Sequence, residues 1–156
     1  MLNKFLAISV PILPKWFVEL FSKSYVAGYT SKEVLTIVKS LNDQGFSTTI
    51  DILGEHVSTL DTSEKITRKY CDLYDKINQD SVDSNISVKP SHIGLDISEK
   101  IVLNNFQRLL KKAKKNSNFL RLDMESSQST DITFKIYNKL KSIYKGTGVV
   151  LQAYLK

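Results

Sequence analysis

The chain has 156 residues, 42% hydrophobic and 24% charged, with a formal net charge of +6 and a pI near 9.3. That balance excludes a disordered chain, and the length suffices for one soluble globular domain with a real core. A single cysteine, Cys71, excludes an internal disulfide and suits a reducing compartment, so a cytoplasmic location is expected. The excess of cations admits an anionic partner but selects none among nucleic acid, membrane headgroups or a phosphorylated cofactor.

Residues 1–28 open with "MLNKFLAISVPILPKWFVELF". The apolar run after Lys4 resembles a signal sequence, but no small-residue cleavage site follows, and Pro11, Pro14 and Lys15 interrupt any membrane-length span. An N-terminal helical segment packed on the domain is expected. The competing reading is a shallow contact of Trp16, Phe17 and Phe21 with the inner face of the membrane.

From Tyr29 onward the periodicity alternates. "TSKEVLTIVKSLNDQG" predicts a helix that starts in a capping box between Thr30 and Glu33, buries Val34, Ile37, Val38 and Leu41, and stops at Gly45. "FSTTIDILGE" then predicts a strand ending at Gly54. The pattern repeats as helix "DTSEKITRKYCDLYDKINQ", strand "NISVK", helix "SEKIVLNNFQRLLKKAKKN", strand "NFLRLDME", helix "TDITFKIYNKLKSIYKG" and strand "GVVLQAYL". Cys71 falls in the second of these helices and is expected to pack, not to react.

Four strands separated by helices predict an α/β fold with a parallel sheet, because parallel neighbours need a long return path and a helix supplies it. The strand ends near Asp51, Lys89, Asp123 and Gln152 lie 29 to 38 residues apart. That spacing matches one βα unit each of a TIM-like (β/α)8 barrel, in which eight units take roughly 250 residues. The expectation is therefore the first half of such a barrel over residues 29–156, with the second half absent. A doubly wound nucleotide-binding fold fits less well, since neither G-x-G-x-x-G nor G-x-x-x-x-G-K-[ST] occurs.

Alternation along the strands assigns Ile50, Ile52, Ile86, Val88, Leu120, Leu122, Val149 and Leu151 to the helix-facing side. The inward set is then Thr49, Asp51, Ser87, Lys89, Arg121, Asp123, Val150 and Gln152, with Tyr154 beyond. Charges on an interior face are costly unless paired, and these gather at the C-terminal ends of the strands, where barrels bind ligands. A plain ion network fixing strand register explains the charges but not their gathering at one end.

"YVAGYTSKEVL", "STTIDILGE", "NISVKPSHIGL", "NFLRLDMESS" and "GVVLQAYLK" resemble, in order and spacing, successive motifs of the monofunctional, FAD-dependent proline dehydrogenase family. The resemblance covers about residue 24 to the C-terminus and rests on the combination of S-V-K, D-M-E and Q-A-Y-L. It implies oxidation of L-proline to 1-pyrroline-5-carboxylate in proline catabolism, with hydride passing to FAD and a membrane quinone as onward acceptor. It assigns Lys89 to the substrate carboxylate, Asp123 to the catalytic and substrate-binding position beside proline, and Gln152 to the flavin. Asp123 is expected to pair with Lys89 when the site is empty.

Two departures stand beside these matches. Pro90 follows the lysine where many relatives have leucine, and it holds Lys89 extended. The arginines that the family places on its fifth strand and last helix have no counterpart in this sequence. A truncated chain with little activity alone is expected, and the alternative is a noncatalytic half-barrel that assembles with a complementary C-terminal half or with itself. His56 and His92 follow strand ends without zinc-motif spacing, so no metal site is expected and both are read as solvated loop residues. "RLLKKAKK" has a buried stripe of Leu109, Leu110 and Ala113 and lacks interleaved aromatics, so no nucleic-acid partner is expected.

Overall fold

The computed structural model describes residues 26–153. The expected N-terminal helical segment falls outside these residues except for 26–28, which are not helical, and Tyr154 also lies outside. The elements run α1 (Ser31–Asp43), β1 (Thr48–Ile50), α2 (Leu60–Gln79), β2 (Ser84–Val88), a 3-10 helix (Pro90–Ile93), α3 (Glu99–Lys115), β3 (Leu120–Leu122), α4 (Thr130–Ile143) and β4 (Thr147–Val149).

All strand pairs are parallel and the sheet order is β1-β2-β3-β4. Each strand is therefore added to the same side of its predecessor. A doubly wound sheet would reverse direction at a switch point, whereas a barrel never does. Registry aligns Ile50, Ile86, Leu120 and Thr147 across the sheet, so the next residues stand in rows. Asp51 is level with Ser87 and Arg121, and Lys89 and Asp123 share the row nearer the strand ends.

Helix α1 starts as its sequence predicts, with Thr30 and Glu33 completing a capping box. Its buried face is rotated from the expected one: Leu35 and Val38 are buried, while Ile37 is 43% exposed. The cause is Asn42, one turn beyond Val38. Its amide donates to Phe46 O at 2.8 Å and Asp83 O at 3.0 Å, while its carbonyl accepts from Asp83 N at 2.8 Å. Those three bonds fix that face of the helix towards the strand entrances.

The core lies between the sheet and α2, α3 and α4. Ile86, Val88, Leu120 and Leu122 are fully buried against Tyr70, Tyr74, Phe106, Leu109, Ile136 and Leu140. Each such side chain contributes about 1.5–3 kcal/mol by leaving water. Helices α2 and α3 are further joined by Arg108–Glu64 at 2.5 Å and by Lys112–Asp75. Leu109, Leu110 and Ala113 form the buried stripe expected of the basic segment, whose Lys112, Lys114 and Lys115 lie in the last turn of α3, where cations complement the helix dipole. The Cys71 thiol is partly buried against the core, and burial pushes its pKa up.

The fourth strand is shorter than predicted. Val150 N still donates to Leu122 O at 2.9 Å, but residues 150–153 form no strand. Leu151 is 68% exposed instead of facing the helices, because the two-residue alternation ends with the ladder.

Candidate active site at the strand ends

The inward rows carry two charge pairs. Lys89 Nζ donates to Asp51 Oδ2 at 2.6 Å. Asp123 accepts from the Ser87 hydroxyl, and Arg121 Nε lies 3.9 Å from Asp123 Oδ1 and 3.0 Å from Ser87 Oγ. Lys89 thus pairs with Asp51, not with Asp123 as expected. Asp123 already has a hydroxyl and a guanidinium beside it, whereas Lys89 is the cation that neutralises Asp51. A long lysine stem reaches diagonally down one row to that carboxylate.

Burial pushes the Lys89 ammonium's pKa down, but the hydrogen bond and charge of Asp51, with Asp123 and Glu125 farther off, push it up by more. The lysine therefore stays cationic. Its backbone is extended, at φ −77° and ψ 125°, and Pro90 occupies the first turn of the 3-10 helix, as the Lys-Pro sequence requires. Both members of the pair retain access to solvent, at 25% and 27% side-chain exposure, so a ligand anion can reach the ammonium.

The 3-10 helix explains two further features. Ser91 N and the Ser91 hydroxyl donate to the Glu125 carboxylate, tying the exits of β2 and β3 together. Ser91 also accepts from His56 N at 3.1 Å through its hydroxyl and from Val57 N at 3.1 Å through its carbonyl, which pins the β1–α2 loop. Sequence reasoning assigned Glu125 no role, although the acidic residue two positions beyond Asp123 was the available signal.

The two histidines part company. His56 is exposed as expected, and a 2.8 Å contact with Asp96 raises its pKa. His92 is only 3% exposed, contrary to the solvated-loop expectation. The tight 3-10 turn carries its ring beneath Gly54, at φ +147°, and the ring leaves no room for a side chain there: a Cβ would lie 2.3 Å from His92 Nε2. Burial lowers the His92 pKa, so the ring is neutral near neutral pH.

Gln152 is half-buried past β4, and its Nε2 donates to Met124 O at 3.2 Å. That bond orients the amide from the β3 exit. Among the described residues its carbonyl oxygen accepts no hydrogen bond, which leaves it available to an N–H donor. No group of three or more potential metal ligands occurs among the described residues, and no described helix is long and apolar enough to cross a membrane.

A parallel sheet wound in one direction with paired charges at its C-terminal mouth defines the class: a (β/α)-barrel segment with a polar site at the strand ends. Residues 34–156 match the family model for proline dehydrogenase, and the chain belongs to that family. Proline dehydrogenase 1 of Bacillus subtilis subsp. natto is 32% identical over 136 residues, covering 87% of this chain and 45% of that protein. Proline dehydrogenase of Deinococcus radiodurans is 26% identical over 139 residues, covering 86% and 45%. The chain thus spans under half the length of these relatives. Among solved structures, proline utilization A from Bdellovibrio bacteriovorus inactivated by N-propargylglycine superposes with a TM-score of 0.76 at 23% identity, over 84% of this chain and 17% of that one. A proline utilization A mutant from Bradyrhizobium japonicum gives 0.61 at 19% identity, over 70% and 13%. The two structures support the barrel fold.

Proposed function

We propose that this chain supplies part of the site of an FAD-dependent proline dehydrogenase, oxidising L-proline to 1-pyrroline-5-carboxylate. The observation that carries the reading is Lys89: a charged, strand-anchored ammonium at the barrel mouth, still reached by solvent, in a chain of this family. A carboxylate entering a partly dry site needs such a cation. Lys89 binds the proline carboxylate, while Asp123, held by Ser87 and Arg121, is the anion beside the substrate nitrogen.

The reaction removes one hydride from the ring carbon next to nitrogen and one proton from that nitrogen. Bound FAD supplies the hydride-accepting chemistry. The residues present fit a flavin edge at one position, since Gln152 offers an unengaged carbonyl and an amide already oriented by Met124 O. A membrane quinone is the onward acceptor in this reading, reached from the cytoplasmic face.

The test is to titrate FAD into the purified chain, alone and mixed with the portion of a relative that it does not cover, and then add L-proline without oxygen. Bleaching of bound flavin that is lost in Lys89→Met supports the assignment. If neither preparation binds FAD, or if bleaching survives Lys89→Met unchanged, the proposal fails.

A further inference from the structure

The Lys89 ammonium makes no hydrogen bond among the described residues except to Asp51 Oδ2, so its place is inherited from that carboxylate. The other carboxylate oxygen, Oδ1, accepts from the Tyr70 hydroxyl at 3.1 Å. Asp51 is therefore held from both sides, by a phenol on α2 and an ammonium just past β2, and the two bonds together fix its plane. Two-point holding matters because a lysine has a flexible four-carbon stem, and its head is only as well placed as its partner.

Tyr70 is fully buried. Its ring packs in the core between the sheet and α2, where phenylalanine would fill the same space. The hydroxyl is the part that packing does not require. A buried hydroxyl needs a partner, and Ile52 O at 3.3 Å would satisfy it; yet the nearest acceptor is the anionic Asp51 oxygen, and bonds to a charged acceptor are the stronger ones. Burial, and then the Asp51 charge, push the Tyr70 pKa far up, so the hydroxyl remains a donor at all working pH.

Behind Tyr70 stands His92. Its Nδ1 lies 3.5 Å from the Tyr70 oxygen, and the two rings meet edge to face with centroids 6.1 Å apart. The same imidazole fills the space under Gly54, three residues beyond Asp51. The ring thus buttresses both the phenol and the loop that carries the carboxylate.

We propose that Tyr70, backed by His92, is a positioning residue for the substrate-binding lysine, acting through Asp51. The inference rests on the reading of Lys89 as the carboxylate ligand, but its first readout does not. In the chain labelled with 15N-lysine, the Lys89 ammonium is assigned by its loss in Lys89→Met, and its hydrogen-exchange rate is measured by NMR. Tyr70→Phe is expected to speed that exchange about fivefold, the equivalent of one net hydrogen bond. His92→Gln moves it in the same direction by less, and decides the matter if Tyr70→Phe fails to fold.

The control is Tyr74→Phe. Tyr74 is equally buried on the same helix, but its hydroxyl donates to Phe119 O at 3.0 Å, away from the pair. It should lower stability and leave Lys89 exchange unchanged. The second readout is the affinity for L-proline in the FAD-loaded preparation, expected to weaken about fivefold in Tyr70→Phe. If wild type binds no L-proline, the proposed function fails while the exchange measurement still decides the positioning role. Equal Lys89 exchange in wild type, Tyr70→Phe and His92→Gln overturns it.

Discussion

Replacing Lys89 by methionine keeps most of the side chain's length and removes its charge, which isolates the 2.6 Å contact with Asp51. At an effective dielectric of 20, two unit charges at that distance attract by about 6 kcal/mol, before desolvation and side-chain ordering are subtracted. Exposed pairs retain about 0.2–1 kcal/mol and breaking fully buried ones costs about 3–5 kcal/mol. With roughly a quarter of each side chain exposed, the expected loss is about 1–2 kcal/mol. Urea unfolding should show it as a lower midpoint at unchanged slope, and thermal unfolding as a drop of roughly 2–8 °C. Asp51→Asn in a double-mutant cycle with Lys89→Met should give a coupling of about 1–2 kcal/mol, and Asp123→Asn a clearly smaller one. Stronger coupling of Lys89 to Asp123 than to Asp51 would refute the pairing and the reasoning built on it.

Gly54→Ala should destabilise by about 2–4 kcal/mol, since it combines a φ that L-residues avoid with a clash against a buried ring. Gly45→Ala, at φ +87° with nothing within 4 Å of the new Cβ, should cost about 1–2 kcal/mol, and equal urea midpoints for the two would remove the argument from His92. The pH dependence has a definite sign. Because burial holds His92 below the ordinary 6.5, the unfolded chain takes up a proton first as pH falls. The stability present above that value is therefore lost progressively below it, and His92→Gln should flatten the slope between about pH 7 and 5. His56 acts oppositely: its raised pKa makes the Asp96 contact stabilising at low pH and lost as pH rises through the elevated value, so His56→Ala should remove a decline on the alkaline side.

Much of the fold was legible because its signals are local. The capping box of Thr30 and Glu33 starts α1, and the two-residue alternation puts Ile86, Val88, Leu120 and Leu122 in the core, all as the residue types require. Three features were not local. The rotation of α1 depends on Asn42 meeting Asp83, 41 residues away. The burial of His92 depends on a 3-10 turn passing under a glycine of another loop. The partner of Lys89 depends on how three strands are staggered, which periodicity within one strand does not contain. The strand-end residues were legible as a group from their spacing. Their pairwise connections, including the Tyr70 bond to Asp51, were not.

The pairing has a consequence for what the mouth will accept. Lys89 with Asp51 and Arg121 with Asp123 cancel in charge, and Glu125 beside them is met by the amide and hydroxyl of Ser91 instead of a cation. With Glu125 these five groups carry one net negative charge, so an added anion raises the imbalance to two in a partly dry site, while an added cation offsets Glu125. A zwitterion leaves that net charge unchanged and offers each of its charges an opposite one to face. An amino acid whose carboxylate faces Lys89 and whose ammonium faces Asp123 meets that condition. Under the proposed function, Asp123 would favour the protonated substrate, and the proton would have to leave before or with the hydride. Substrate binding should thus be less pH-sensitive on the acid side than the oxidation step, which requires the amine to become neutral.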